Sequence, residues 1–212
     1  MLTTTVVDYG VGNLFSVKAA LQHCGVDKVI FAKDEEEILK AEKLILPGVG
    51  AFSDAMNGLK SEDLIRPIKD FVKTGKPLMG ICLGMQMLGT QSEEFGIHQG
   101  LDFIPGKVIK IPQGSNECQR KVPFVGWAEL NTSKSGRFKS NILSQLPDNS
   151  AVYLVHSYQF VAEKEEDVIA YYDYQDLKVC AAIQHENIIG FQFHPEKSSN
   201  VGLNILNSFL HS

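Results

Sequence analysis

The chain has 212 residues, of which 44% are hydrophobic and 21% charged. This composition excludes a disordered chain, and the length suits one α/β domain spanning residues 1–212. The formal net charge of -5 argues against a general nucleic-acid-binding surface, because phosphate binding depends on clustered lysines and arginines. The short basic group Arg120 and Lys121 is therefore interpreted as part of a solvated loop.

The cysteines and the apolar runs of the sequence indicate the cellular compartment. Cysteines at positions 24, 82, 118 and 180 are far apart and have no nearby histidine at zinc-ligand spacing, so no structural zinc site is expected. No signal peptide is recognisable, and no apolar run is long enough to cross a bilayer. We therefore expect a cytoplasmic protein with reduced thiols and no membrane partner.

The first half of the chain alternates short apolar runs with longer amphipathic stretches, which predicts β/α units. A strand that is short, apolar and bounded by glycine or proline is typical of the buried centre of a parallel sheet. The predicted strands are TTTVVD, KVIF, KLILP and KPLMGIC, and the predicted helices cover residues 13–24, a segment starting at DEEEILKA, and two segments within residues 52–73.

The second half carries closely spaced strand-like runs from Lys107 onward, which predict added antiparallel strands that flank the parallel sheet. Residues 201–211 have an apolar face and predict a closing helix. The expected fold class is therefore α/β, with a mostly parallel central sheet flanked by helices and additional antiparallel strands in the C-terminal half. The runs are KVIKIP, FVGWAEL, AVYLV, YQFVA, VIAYY, KVCAAIQ and IIGFQF.

The sequence GICLG at residues 80–84 lies where an apolar strand ends and an amphipathic segment, residues 85–90, begins. This pattern is typical of a nucleophile elbow, in which a strained central residue needs small neighbours such as Gly80 and Gly84. The start of a following helix would favour the nucleophilic thiolate of Cys82. A buried structural cysteine between two packing glycines explains the motif alone equally well.

Two further segments supply what a cysteine nucleophile needs. His194 and Glu196 follow the strand-like run GFQF and provide a base and a carboxylate that orients it. Glycines around Val49 allow a backbone N–H to face a developing oxyanion, although a tight turn explains this segment alone. The three segments occur together at strand ends, where active sites of parallel sheets collect. We interpret the remaining histidines, at 23, 98, 156, 185 and 211, as structural or exposed.

These three segments, in this order, resemble the triad-type (class I) glutamine amidotransferases. Within that class, DYGVGNL at residues 8–14, PGVG at 47–50, residues 80–86 and HPEKS at 194–198 are most similar to the glutaminase subunits of imidazole glycerol phosphate synthase. DYGVGN is the most specific of these motifs. The resemblance covers nearly the whole chain and implies the class I α/β fold, with no cofactor and no metal.

The resemblance also implies a role for each catalytic residue. Cys82 attacks the side-chain amide of glutamine, while His194, held by Glu196, passes a proton to the departing ammonia. Water then hydrolyses the glutamyl thioester. The oxyanion is held by the backbone N–H groups of Leu83 and, after a peptide reorientation, Val49.

The resemblance further implies a set of substrate contacts and a partner. Glu94 would pair with the ammonium group of glutamine, although a solvated acidic pair, and for Gln86 an exposed helical position, remain alternatives. The ammonia acceptor would lie on a (β/α)8-barrel cyclase that forms a heterodimer with this chain and makes imidazole glycerol phosphate in histidine biosynthesis. For Trp127, core packing remains an alternative. The implied substrate-binding residues are Gly50, Gln86, Glu94, Ser157 and Tyr158, and the implied interface residues are Asn13, Trp127 and Lys197.

The sequence departs from these subunits at residues 123–128, which read PFVGWA where the family pattern resembles PHMGWN. Phe124 and Ala128 replace the usual histidine and asparagine, and both are expected to face the partner. This leaves open a second pathway, in which the same glutaminase chemistry serves a paralogous cyclase-like synthase for surface-sugar amidation. A cysteine peptidase and a non-catalytic binding module are alternatives from other classes.

Overall fold

The computed structural model describes residues 1–114, 119–132 and 142–212, so Cys118 lies outside the described residues. The β/α alternation expected for the first half is present. The strands are β1 (Thr3–Val7), β2 (Lys28–Ala32), β3 (Leu44–Gly48), β4 (Leu78–Cys82), β5 (Gln91–Ser92), β6 (His98–Gln99), β7 (Gly106–Lys110), β8 (Phe124–Glu129), β9 (Asn131–Thr132), β10 (Ala151–His156), β11 (Tyr158–Ala162), β12 (Val168–Tyr174), β13 (Leu177–His185) and β14 (Ile188–Phe191). The α-helices are α1 (Leu14–His23), α2 (Glu35–Leu39), α3 (Phe52–Ser61), α4 (Ile65–Lys73), α5 (Leu83–Met87) and α6 (Ser199–Leu210).

An eight-stranded sheet forms the centre, in the order β2-β1-β3-β4-β14-β13-β12-β9. The first five strands of this order pair in parallel, and the last three join by antiparallel pairing. The run IIGFQF was predicted as an added antiparallel strand, and this was wrong. It forms β14, which pairs in parallel with β4 and places Gly190 beside Gly80. A local apolar pattern carries no strand direction, so only the tertiary path of the chain decides it.

Two smaller sheets complete the fold. One pairs β10 with β8, and the other has the order β11-β7-β5-β6, in which only the β5–β7 pairing is parallel. The mostly parallel α/β sheet with added antiparallel strands is thus confirmed. Strands β5, β6 and β9 contain two residues each, which is too short for an alternating pattern in the sequence.

Helices cover both faces of the central sheet. Helices α1 and α6 pack on one face, whereas α2, α3, α4 and α5 contribute to the apolar cluster on the other. Neighbouring strand residues such as Val6 and Val7 belong to opposite clusters, because side chains alternate across a strand. This two-sided burial explains why the central strands read as continuous apolar runs. None of the described helices has the length and apolar character needed to span a membrane.

One loop residue differs from its sequence interpretation. Arg120 was predicted to lie in a solvated loop, yet it is only 6% exposed. Its guanidinium lies 3.0 Å from the Asp176 carboxylate and donates to the Pro112 carbonyl over 3.2 Å. The solvated interpretation is therefore wrong for Arg120, because a long-range partner compensates the burial of its charge. Lys121, its neighbour, is exposed as expected.

Candidate active site

Cys82 occupies a sharp turn between β4 and α5. Its φ of 54° and ψ of -109° are unusual for a residue with a side chain and indicate a strained backbone. The turn needs small neighbours: a Cβ on Gly80 would lie 2.8 Å from the backbone of Gly84, and one on Gly84 would lie 1.9 Å from the Leu46 carbonyl oxygen. A side chain at Gly84 would therefore push α5 away from β3, and one at Gly80 would push α5 away from β4.

The helix after the elbow begins earlier than predicted. Residues 85–90 were interpreted as the amphipathic segment, whereas α5 runs from Leu83 to Met87. The positive φ of Cys82 turns the chain directly into the helix, so no connecting residue is needed. Leu83 is thus the first helical residue, and its N–H has no acceptor within the helix itself.

His194 lies beside Cys82 and is backed by Glu196. The imidazole Nδ1 lies 2.9 Å from Glu196 Oε1, and both side chains are almost fully buried. Burial lowers the pKa of His194, but hydrogen bonds to Cys82 and Glu196 and their charges outweigh it and raise the pKa to about 10. The imidazole therefore carries a proton at neutral pH, donates from Nδ1 to Glu196, and faces the sulfur with Nε2.

The backbone around His194 is held by Ser198 and Tyr153. Ser198 Oγ donates to the His194 carbonyl over 2.7 Å and accepts from the Tyr153 N–H over 2.9 Å. The His194 N–H in turn donates to the Tyr153 carbonyl over 3.0 Å. These contacts fasten the turn Pro195–Lys197, which carries Glu196, to strand β10.

A pocket of about 350 Å³ opens above Cys82. It contains the predicted nucleophile and base, both predicted oxyanion residues and every predicted substrate contact; Glu196 lies behind His194. Three further lining residues were missed by the sequence interpretation, namely Pro123, Val155 and His156. The lining residues are Val49, Gly50, Cys82, Leu83, Gln86, Glu94, Pro123, Val155, His156, Ser157, Tyr158 and His194.

The end of β3 is held in place, whereas the segment that follows it has open space around it. The buried Tyr9 hydroxyl donates to the Pro47 carbonyl over 2.8 Å, and a Cβ on Gly48 would lie 2.9 Å from that hydroxyl. Gly50 has φ +93° and no atom within 4 Å of its would-be Cβ, while Val49 is 39% exposed. The peptide around Val49 and Gly50 therefore has room to turn, whereas Gly48 does not.

Gln86 lies inside the protein, one helical turn after Cys82. Its Nε2 donates to the Tyr158 carbonyl over 3.2 Å and to Gln192 Oε1 over 2.9 Å. The alternative of an exposed helical glutamine is therefore wrong. Because protein acceptors use both N–H groups of Gln86, its carbonyl oxygen is the atom that remains to serve a ligand in the pocket.

Glu94 is held in place at the pocket wall. Its Oε2 accepts the backbone N–H of Phe52, the first residue of α3, over 2.7 Å. Burial and the negative charge of Glu94 raise the pKa of the nearby Tyr158 hydroxyl. The alternative of a solvated acidic pair is wrong for Glu94, although its neighbour Glu93 is exposed.

His156 was interpreted as a structural or exposed histidine, but it is buried and lines the pocket. Burial lowers its pKa to about 4, so the ring is neutral at neutral pH. One ring nitrogen, Nδ1, lies 2.7 Å from the Tyr158 carbonyl, which only accepts, so Nδ1 carries the proton and Nε2 accepts from the Tyr172 hydroxyl over 2.9 Å. In the sequence, only its position directly before the predicted substrate contact Ser157 indicated that His156 would line the pocket.

The chain that forms this pocket matches a known protein family. The model for "Glutamine amidotransferase class-I" matches residues 5–212. The chain belongs to this family. The resemblance predicted from the sequence motifs is thereby confirmed. Within the described residues of this amidotransferase, no group of three or more His, Cys, Asp or Glu side chains is arranged to hold a metal ion.

Over nearly its full length, this amidotransferase is also similar to HisH subunits of imidazole glycerol phosphate synthase. It is 46% identical over 212 residues to imidazole glycerol phosphate synthase subunit HisH 1 of Legionella pneumophila (strain Paris), covering 99% of each chain. It is 45% identical over 210 residues to subunit HisH of Lactococcus lactis, covering 99% of this chain and 98% of the relative. Subunit HisH of Aquifex aeolicus is 42% identical over 208 residues, which is 98% of this chain and 96% of the relative.

Solved structures of lower identity share the amidotransferase fold. PurLQS from Thermotoga maritima superimposes with a TM-score of 0.70 at 19% identity, covering 99% of this chain and 97% of that one. A structure described as a glutamine amidotransferase gives a TM-score of 0.69 at 15% identity and covers 100% of both chains. At this level of identity, the likeness bears on the fold alone.

The predicted interface residues of this amidotransferase lie at or near its surface. Trp127 is 54% exposed, with its ring centroid 6.0 Å from that of Tyr153, so the alternative of core packing is wrong. Lys197 is exposed directly after Glu196, and the Asn13 side chain caps α1 by accepting the Ser16 N–H over 3.3 Å. The partner role of all three residues stays a prediction.

The residues that depart from the family pattern at 123–128 are partly buried. Phe124 and Ala128 were predicted to face the partner; both pack against the core with part of their surface exposed, and their partner role stays a prediction. The ring of Phe124 lies 4.8 Å from that of Tyr174, centroid to centroid. Alternation along β8 exposes Val125 and Trp127 instead, so the replaced side chains sit on the opposite face of the strand.

Proposed function

We propose that this chain hydrolyses glutamine to glutamate and ammonia, and that it serves as the glutaminase subunit of an imidazole glycerol phosphate synthase in histidine biosynthesis. The observation that carries the chemistry is the position of His194 between Cys82 and Glu196, with its Nδ1 2.9 Å from Glu196 Oε1 and its pKa raised by both neighbours. An imidazolium beside a cysteine sulfur favours the thiolate, which is the reactive form of the nucleophile. The pathway rests on the HisH relatives, which match over nearly their full length.

The first half of the reaction forms a thioester. The Cys82 thiolate attacks the side-chain amide carbon of glutamine, and the carbonyl oxygen becomes an oxyanion. Backbone N–H groups of Leu83 and Val49 stabilise that oxyanion, the latter after its peptide turns in the open space around Gly50. His194 then gives its proton to the amide nitrogen, which leaves as ammonia, and Glu196 stabilises the histidine in both states.

The second half regenerates the enzyme. Neutral His194 takes a proton from water, and the resulting hydroxide attacks the thioester carbon. The second tetrahedral intermediate collapses, the Cys82 thiolate departs, and the imidazolium is restored beside it. Glutamic acid leaves and loses its proton to solvent.

Side chains that line the pocket would orient the glutamine substrate. The Glu94 carboxylate is anchored by Phe52 and presents a negative charge, which suits the ammonium group of glutamine. Gln86 offers its carbonyl oxygen to the reacting amide of the substrate. Ser157 and Tyr158 also line the pocket and would contact the glutamine backbone.

A partner subunit is part of the proposal, because ammonia is mostly protonated in neutral water and must reach its acceptor first. An exposed apolar group on β8 and β10 supports a docking surface for the (β/α)8-barrel cyclase. Val125 is 59%, Trp127 54% and Val155 37% exposed. Val155 also lines the pocket, so a partner seated on this group would meet the site of ammonia release.

Two measurements test the proposal together. Glutamate release should be low for the isolated chain and rise strongly when the cognate cyclase subunit and its ligand are added, whereas Cys82→Ala should show no release in either case. Expression of the chain with its cyclase should restore growth on histidine-free medium to a strain that lacks its own glutaminase subunit. Strong glutamine hydrolysis without growth would contradict the histidine pathway and favour surface-sugar amidation.

A further inference from the structure

Gln192 contacts the nucleophile but is absent from the triad. It lies directly after β14, and its side chain is fully buried. Its Nε2 donates to Cys82 Sγ over 3.8 Å, within the range of hydrogen bonds to sulfur. His194 lies only two residues later, so the segment that follows β14 brings two side chains to the sulfur.

Neighbouring groups set the orientation of the Gln192 amide. The Tyr158 carbonyl can only accept a hydrogen bond, so it requires the nitrogen of Gln86 to face it. The second N–H of Gln86 then points to Gln192 Oε1. With its oxygen used in this way, Gln192 must direct its nitrogen at the sulfur, because a flipped amide would bring two donors together.

We infer that Gln192 is a catalytic residue whose N–H stabilises the Cys82 thiolate, and that Gln86 positions it. The catalytic consequence rests on the proposed glutaminase function. A negatively charged sulfur accepts a hydrogen bond more strongly than a thiol or a thioester sulfur does. Gln192 therefore favours the charged nucleophile in the resting enzyme and again when the thiolate leaves the acyl intermediate.

The inference is tested first without substrate or partner. Iodoacetamide alkylates the thiolate form of cysteine, and the modified Cys82 peptide is quantified by mass spectrometry over a series of pH values. Gln192→Leu removes the donor at similar volume, and Gln192→Glu keeps the shape but offers only oxygens. Gln184→Leu, on β13 and away from the pocket, is the matched control. Thermal unfolding identifies which variants fold.

In both Gln192 variants, we expect the alkylation profile of Cys82 to move to higher pH by about one unit, which is a tenfold loss of thiolate at a fixed pH below the midpoint. The shift should be at least as large for Gln192→Glu, because a carboxylate repels the thiolate. Gln184→Leu should match the wild type. A folded Gln192→Leu or Gln192→Glu protein with the wild-type profile would overturn the inference, and if only one of them folds, that variant decides.

Turnover with the cyclase subunit separates this inference from the proposed function. Because Gln192 contacts the sulfur and is not among the residues that line the pocket, kcat should fall about tenfold while KM changes little. A large rise in KM at constant kcat would contradict a role at the sulfur. If the wild type itself released no glutamate, the glutaminase proposal would fail, while the alkylation profiles would still decide whether Gln192 stabilises the thiolate.

Discussion

The backbone N–H of Phe52 donates to Glu94 Oε2 over 2.7 Å and thereby joins the start of α3 to the wall of the pocket. A carboxylate is stabilised at the first turn of a helix, because the N–H groups there lack acceptors within the helix. The contact fixes one oxygen of Glu94 and leaves the other to a ligand. Glu94 thus carries a negative charge in a defined position, although its neighbour Glu93 is exposed to solvent.

Glu94→Gln should raise the KM for glutamine by roughly 10- to 100-fold, which corresponds to the loss of a charge-assisted hydrogen bond to the substrate ammonium group. The change in kcat should be small, because the proposed contact of Glu94 is with the ammonium group and not with the reacting amide. Steady-state kinetics with the cyclase subunit measure both constants. The control Glu93→Gln removes an adjacent, exposed charge and should behave as the wild type. An unchanged KM in Glu94→Gln would exclude the ammonium contact.

Gly84→Ala should destabilise the fold by at least about 2 kcal/mol, because overpacking forces backbone shifts. The new Cβ would lie 1.9 Å from the carbonyl oxygen of Leu46, a backbone atom that cannot rotate away. Urea denaturation measures the free energy of unfolding. The control Asn57→Ala changes an exposed residue of α3 and should remain within about 0.5 kcal/mol of the wild type. A Gly84→Ala protein of wild-type stability would show that β3 and α5 can separate easily.

Cys82→Ser should lower the pKa of His194, which is raised to about 10 in the wild type. Burial opposes that high pKa, and the hydrogen bond and charge of Cys82 are among the groups that sustain it, so a serine that stays uncharged removes part of the support. Nitrogen NMR of the imidazole rings over a pH series measures the change. The ring of His185, which contacts Asp167 and not Cys82, provides an internal control with unchanged signals. Equal titration of His194 in both proteins would contradict an ion pair with Cys82.

Trp127→Ala should weaken binding of the cyclase subunit by at least about tenfold, because exposed aromatic residues at the centre of an interface often dominate its binding energy. Isothermal titration calorimetry measures the dissociation constant. Leu39→Ala, at a 38% exposed apolar residue of α2, is the control and should bind as the wild type does. Thermal unfolding of Trp127→Ala should be close to that of the wild type, because more than half of the side chain is already exposed. Wild-type affinity would place the interface elsewhere.

Much of the candidate site could be predicted from short motifs, because it depends on residue type at fixed local spacing. GICLG predicts a strained elbow at Cys82, and the φ of 54° there shows the strain. His194 and Glu196 are two residues apart, so their contact of 2.9 Å follows from one local turn. The sequence did not decide whether Trp127 is exposed or packed in the core, because a single tryptophan in a strand-like run is compatible with either face of the strand.

The sequence by itself determined the order of the longer elements and the apolar central strands, and it predicted a nucleophile, a base and an orienting carboxylate, because these follow from local periodicity and local motifs. Only the tertiary structure decided the parallel direction of β14, the burial of His156 and Gln86, and the contact between Gln192 and Cys82. Each of these depends on how separate elements pair and pack in the folded chain. Cys82 and Gln192 are 110 positions apart, and the sequence between them carries no local signal of that contact.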